Sequence, residues 1–349
     1  MSMLARNAEQ LFWLARYIER AGSLARIIET HSSFGRASAD DLSWGWLVAL
    51  YSNQELFGKA YSETSFKNVI RFDVSDAASP SSIQFSVRAA RENARALRAV
   101  IPIEMWSQLN GFYQRLSTLE DANFDLVGLS RTCGVIKDGC YAQIGVADGT
   151  LYRDEGERFF RLGLMVERAD QTSRLLDVKF AQLATSAESS GPIADTTFWS
   201  LILRSAAAYQ AFRRHEPHGA DPSRVARFLL VNGSQPRSVT YCAHEIQRVL
   251  QELRSGYQLR QTRRSLEQVE ILLEGLQSAA LDPDLVSRLH TVNDWLQQRL
   301  IELTSELGAT FFSLEPPIKP AQSQAQAQSQ MQPTVQSQTQ TQSKSQNIS

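Results

Sequence analysis

The chain has 349 residues, 43% of them hydrophobic and 21% charged, with a net charge of −1 and three cysteines. That length admits one large domain or two smaller ones. The even charge balance offers no electrostatic footprint for nucleic acid or an anionic membrane, and an odd, sparse cysteine count is no disulfide framework.

The N-terminus meets a charge at Arg6 and has no apolar core followed by a small-residue cleavage site, so no signal peptide is expected. No run of about 18 apolar residues occurs anywhere, so no membrane span is expected, and a reducing, cytoplasmic setting fits best. From 2 to 314 the apolar spacing predicts helix almost throughout. Breaks are expected at Ser38–Asp41, Asp76–Pro80, Pro102, Ala147–Thr150, Ser189–Pro192, Pro217–Pro222, Gly233–Pro236 and Asp282–Pro283, which leaves about ten helices. The closest thing to a strand is Val69–Val74, which reads equally as a short helix. From 315 onward Gln and Ser dominate without aromatic residues, which predicts a disordered tail over 315–349.

An internal repeat organises the helical part. Residues 8–29 align with 156–177, so that Glu9 meets Glu157, Phe12 meets Phe160, Glu19-Arg20-Ala21 meets Glu167-Arg168-Ala169, and Arg26 meets Arg174. Ser2 aligns with Thr150, and both are expected to cap a helix. Further on, Trp44 aligns with Trp199, Phe72 with Phe228, Pro80 with Pro236 and Ser82 with Ser238. The expectation is an all-α, multi-helix bundle of two pseudo-twofold-related repeats, 2–148 and 149–314, together forming one domain.

On a helical wheel of about 100° per residue, Glu9, Phe12, Arg16, Glu19, Arg20 and Arg26 share one side. Leu11, Leu14, Ile18, Ala21, Ala25 and Ile28 form the opposite stripe. The second copy keeps the charges at Glu157, Glu167, Arg168 and Arg174 but has Leu164 in place of Arg16. A second stripe carries Arg88, Arg91 and Arg95, with Arg98 beyond, where the second copy keeps only Arg254. Three readings stay open for these charges. They are a solvated face laced by i,i+4 pairs, an inter-helix ion-pair network that docks the two copies, or a binding site for a carboxylate or phosphate held by arginine forks. For a site of that last kind, the first copy is expected to supply most of the positive charge.

Other chemistry is thin. No histidine follows a glutamate by three, so no di-metal bundle is expected, and no cofactor is implied. Cys133 and Cys140 are seven apart, and Cys242 sits two residues from His244, where helix geometry turns the two side chains apart; all three read as core residues. The P-loop, GxGxxG and GxSxG patterns are absent. The six tryptophans read as core or interface anchors.

The segments MLARNAEQLFWLARYIERAGSLARII (3–28), AARENARALRAVIPIEMWSQLN (89–110), DGTLYRDEGERFFRLGLMVERADQTSRLLDVKF (148–180) and FLLVNGSQPRSVTYC (228–242) resemble the bacterial alpha-E domain family, in order and over roughly 2–312. The resemblance implies an all-helical domain associated with circularly permuted ATP-grasp ligases, and possible company with transglutaminase-like proteins. It adds Asp154, Glu155 and Asn93 to the positions that match the family's signature, and Leu164 departs from it. The implied function is that of a non-catalytic helical partner that presents substrate to a peptide or amide ligase. An enzyme or ligand-binding protein using the paired Glu and Arg residues, and a purely structural dimerisation module, are the alternatives.

Overall fold

A computed structural model of the chain describes residues 3–35, 44–76, 78–119, 126–186, 192–257, 259 and 262–312. Ser2, the break at Ser38–Asp41 and the Gln/Ser-rich tail fall outside them. Fourteen helices and no strand occur among the described residues. They are α1 (Ala5–Gly35), α2 (Gly45–Ala49), α3 (Gln54–Ala60), α4 (Phe66–Val74), α5 (Ile83–Ala96), α6 (Ile103–Ser117), α7 (Leu126–Thr150), α8 (Glu155–Ser186), α9 (Pro192–Ser205), α10 (Tyr209–His215), α11 (Pro222–Val231), α12 (Val239–Gly256), α13 (Arg263–Leu281) and α14 (Leu289–Phe311). Three of the helices beyond the expected ten are α2, α3 and α10, which have two turns or fewer, too few for a periodic apolar stripe. Val69–Val74 lies inside α4.

The two long motif helices, α1 and α8, cross at the centre. Around α1 pack α5, α7 and α9; around α8 pack α12 and α14, with α6 and α13 closing the outside of each group. The crossing is close because Gly163 faces the backbone of α1: a Cβ there would lie 2.1 Å from the carbonyl oxygen of Phe12. Both central helices are sheathed in neighbours. Leu11, Phe12, Leu14, Ile18, Ala21 and Leu24 are fully buried, and so are Leu162, Ala169 and Leu176. Burying an aliphatic side chain contributes about 1.5–3 kcal/mol, so these residues stabilise the pairing of the two helices.

Local signals recur in both halves. Ser82 and Ser238 accept from the backbone N–H of Phe85 and Tyr241, each at 3.1 Å, and start α5 and α12. Ser65 and Asp221 cap α4 and α11 in the same way. Ser52 (φ 55) and Ala207 (φ 51), which are 155 positions apart, are the two non-glycine residues with positive φ among the described ones. One expectation fails here. Thr150 is the last residue of α7, where its hydroxyl donates to Val146 O at 2.7 Å; α8 begins after Asp154, whose carboxylate accepts from Gly156 N at 2.8 Å. The break falls at 151–154, because Asp154 offers the better cap for a helix that opens with Glu155 and Glu157. No helix among the described residues is long and apolar enough to cross a membrane.

Candidate functional site

The repeated charges lie inside the α1–α8 crossing. Glu167 is fully buried and accepts from Arg20 Nε at 2.6 Å, Arg20 Nη2 at 2.9 Å, Arg16 Nε at 2.8 Å and Gln171 Nε2 at 2.9 Å. Tyr51 in turn donates to Gln171 Oε1 at 2.7 Å. Glu19 is equally buried. It accepts from Arg168 Nε at 3.0 Å and from Arg237 Nη1, with the Ser23 hydroxyl at 3.4 Å. The solvated-face reading fails, because Arg16, Glu19, Arg20, Glu167 and Arg174 are all buried. Where α1 and α8 pack on each other, these five side chains lie between helices rather than toward solvent.

Each glutamate is served by two arginines of the other half: Glu167 by Arg16 and Arg20, Glu19 by Arg168 and Arg237. Leu164 therefore removes no cation from the network. Arg237, in the loop before α12, supplies the second guanidinium that Arg16 supplies on the other side. Sequence reasoning missed Arg237, whose position matches Ser81 in the first half, so the alignment offered no signal. Nor does the first half supply most of the charge. Arg16, Arg20 and Arg26 come from it, and Arg168, Arg174 and Arg237 from the second.

Burial alone would push these carboxyls up. Arg20 and Arg16 outweigh it at Glu167 and hold that group down at about 2. Arg237, Arg168 and Arg26 do the same for Glu19, which also lies below its ordinary value. At Arg20, burial is outweighed by the Glu167 carboxylate, which raises the guanidinium's pKa. Both glutamates are thus fixed anions, tied by charge-assisted bonds of the strong kind.

Arg174 pairs with Asp170 one turn back, at 2.9 Å. Its counterpart Arg26 has no such partner, because Gly22 stands where Asp170 stands. Gly22 is dictated by packing: a Cβ there would sit 3.1 Å from Cys140 Cβ on α7. Arg26 instead donates to neutral acceptors, Ser205 O and Tyr141 Oη at 3.0 Å each and Ser23 Oγ at 3.1 Å. Burial, reinforced by nearby Arg237, lowers its pKa to about 10.

The remaining candidates lie elsewhere. Glu157 is buried among Arg153, Arg158 and Arg161, in a separate group that ties α8 to Glu245 and Glu252 of α12. Asp154 caps α8, while neighbouring Glu155 accepts from Met3 N at 2.8 Å. Glu9 is half-buried on α1, and burial raises its carboxyl despite Arg6. Arg88 and Arg95 are exposed on α5, and Arg91 lies between the rings of Trp106 and Tyr113, bonded to Asn110 and Glu92. None of these three reaches the network.

The three cysteines are buried and unpaired, and burial pushes the thiols of Cys133 and Cys242 up to about 12. Asp177, His290 and Asp294 gather at the surface, but the two ring nitrogens of His290 face different carboxylates, at 2.7 and 3.5 Å. That is an ion-pair bridge rather than a convergent set of ligands. An open cleft of about 710 Å³ lies between α1, α7, α9 and α10, and Arg26 is the one member of the buried network that lines it.

Fold and network together define an all-helical protein whose repeated Glu-Arg pairs tie its two central helices together. The chain belongs to the Alpha-E family, described as a predicted alpha-helical domain with a conserved ER motif, which it matches over residues 3–312. The repeated pairs Glu19-Arg20 and Glu167-Arg168 fit that description. No curated protein and no solved structure matches the chain.

Proposed function

We propose that the chain is a non-catalytic helical partner that presents substrate within an ATP-grasp peptide or amide ligase system, in the cytoplasm. The observation that carries this reading is the internal saturation of the Glu-Arg motif. A general acid or base working near neutral pH needs a carboxyl tuned upward and open to its substrate. Glu19 and Glu167 are sealed, doubly paired and held low, as befits a fixed strut. Arg20 and Arg168 are engaged within the chain, which removes them from an intermolecular role and weighs against a dimerisation module built on them.

The two halves are read as products of duplication related by a pseudo-twofold. Matching caps, the shared positive φ of Ser52 and Ala207, and the reciprocal Arg20–Glu167 and Arg168–Glu19 pairs support that reading. The partner reading is tested by affinity capture of the tagged chain together with the ATP-grasp ligase, and by assaying the ligase with and without it. A stable complex, with ligase activity lowered in its absence, is expected. Failure to form a complex, with unchanged activity, would sink the idea.

A further inference from the structure

The buried network is not electrically balanced. Six arginines face three carboxylates (Glu19, Glu167, Asp170); Arg168 and Arg237 are partly exposed, but even the four buried ones, Arg16, Arg20, Arg26 and Arg174, outnumber the carboxylates by one. Removing charge from water costs several kcal/mol per ion unless an opposite charge compensates, so an excess of buried cations is a standing demand for an anion. The demand is localised. Every arginine of the set except Arg26 has a carboxylate within ion-pair distance.

A guanidinium carries five N–H donors. Arg26 uses three of them, on Ser205 O, Tyr141 Oη and Ser23 Oγ, and all three acceptors are neutral. Two donors remain, on a side chain that is 6% exposed and lines the open cleft. The comparison within the chain is direct. Arg174, the matching residue, has Asp170 one turn back, whereas Gly22 at that place leaves Arg26 without a carboxylate.

The cleft is suited to such a ligand. Its volume of about 710 Å³ falls in the range of small-molecule sites. Arg204 stands at its rim, exposed, with its guanidinium 4.1 Å from the centre of the Tyr209 ring and no carboxylate partner among the described residues. Lys137 and Glu29, paired with each other, form part of the wall, and Leu201 and Ala207 add apolar surface.

We propose that this cleft binds an oxyanion, a carboxylate or phosphate carried on a small organic body, with Arg26 at its floor and Arg204 at its rim. The site is distinct from the Glu-Arg strut and does not depend on the ligase. Loss of the complex in affinity capture would leave it standing, and its failure would leave the partner reading standing.

Isothermal titration of the full chain at constant ionic strength tests it. N-acetyl-alanyl-alanine, its C-terminal amide and inorganic phosphate are the probes. Saturable binding of the free peptide but not the amide identifies a carboxylate ligand, and binding of phosphate alone identifies a phosphate. Replacing one charge-assisted partner is expected to weaken binding about tenfold in Arg204→Gln, an exposed position whose loss leaves the core intact. Arg26→Gln should abolish binding, provided that its circular dichroism matches that of the parent. The proposal is overturned if neither oxyanion saturates below about 10 mM, an affinity of under 3 kcal/mol, or if Arg204→Gln binds as tightly as the parent.

Discussion

Replacing Glu167 by Gln removes one charge from the fully buried centre of the crossing and changes little in shape. Arg16 and Arg20 then face each other without an anion between them, and the new amide presents N–H groups where only acceptors fit. Breaking a buried pair by deleting one partner costs about 3–5 kcal/mol. The sign agrees with the carboxyl's environment: Arg20 and Arg16 hold Glu167 well below its ordinary 4.5, so its ionised form stabilises the fold. For a folded unit of this size, that loss lowers Tm by about 5–8 °C. The sign of the pH dependence follows from the depressed value. The contribution of Glu167 is complete above the unfolded value of 4.5 and is lost as pH falls toward 2, so parent and variant should converge over that window. Denaturant unfolding of Glu167→Gln and Glu9→Gln between pH 3 and pH 8 reads both effects, with half-buried Glu9 as control, expected within about 0.5 kcal/mol of the parent. A Glu167→Gln loss no larger than that of the control at pH 7, or a gap that does not narrow in acid, would refute the strut.

Three further expectations concern packing and buried groups. Gly163→Ala drives a methyl group into the Phe12 carbonyl and must part α1 from α8; a loss of about 3 kcal/mol or more is expected by denaturant unfolding, and a near-neutral effect would deny the close crossing. Asp73 on α4 is buried with neither oxygen hydrogen-bonded, and burial raises its carboxyl well above the ordinary 3.8. The folded state therefore holds its proton while the unfolded state loses it, a penalty that grows as pH rises. Asp73→Leu, the residue found at the matching Leu229, should gain at least about 1 kcal/mol more at pH 8 than at pH 4, and equal gains would contradict the assignment. The buried thiols, with Cys133 and Cys242 raised to about 12, should resist a disulfide reagent until the chain unfolds; rapid stoichiometric labelling of the native protein would show that they are accessible.

Much of the fold was legible because the local signals are strong. The apolar stripe from Leu11 to Ile28 and the matched pairs from Glu19/Glu167 to Ser82/Ser238 name the all-helical class and the two motif helices, though not their place at the centre. Short elements such as α2 and α3 were not legible, since five to seven residues carry no periodicity. The charged side of α1 misleads for a related reason. A wheel reports which residues share a face, but burial depends on which helices cover it, and only the tertiary crossing seals Arg16, Glu19 and Arg20. Arg237 lies beyond any reading of the repeat, because its counterpart is Ser81 and its partner Glu19 is 218 residues away. The exposed Arg88 and Arg95 show the converse: arginines in a dense stripe need not converge on a site. Arg26 could have been singled out from Gly22 standing against Asp170, but only with the knowledge that position i−4 holds the partner of Arg174.

The exchange of partners between halves also sets an order of events during synthesis. Glu19 leaves the ribosome early, and its two arginines follow 149 and 218 residues later. At about 5–20 residues per second, roughly ten to forty seconds pass before Arg237 can reach it. Until Glu167 and Arg168 have been made, the charged stripe of α1 lacks its partners on α8, so the nascent first half has reason to stay hydrated and open. Only when the second half emerges does each stripe find its complement, and closure then comes late, through contacts distant in sequence. The arrangement makes the chain behave as two halves that wait for each other.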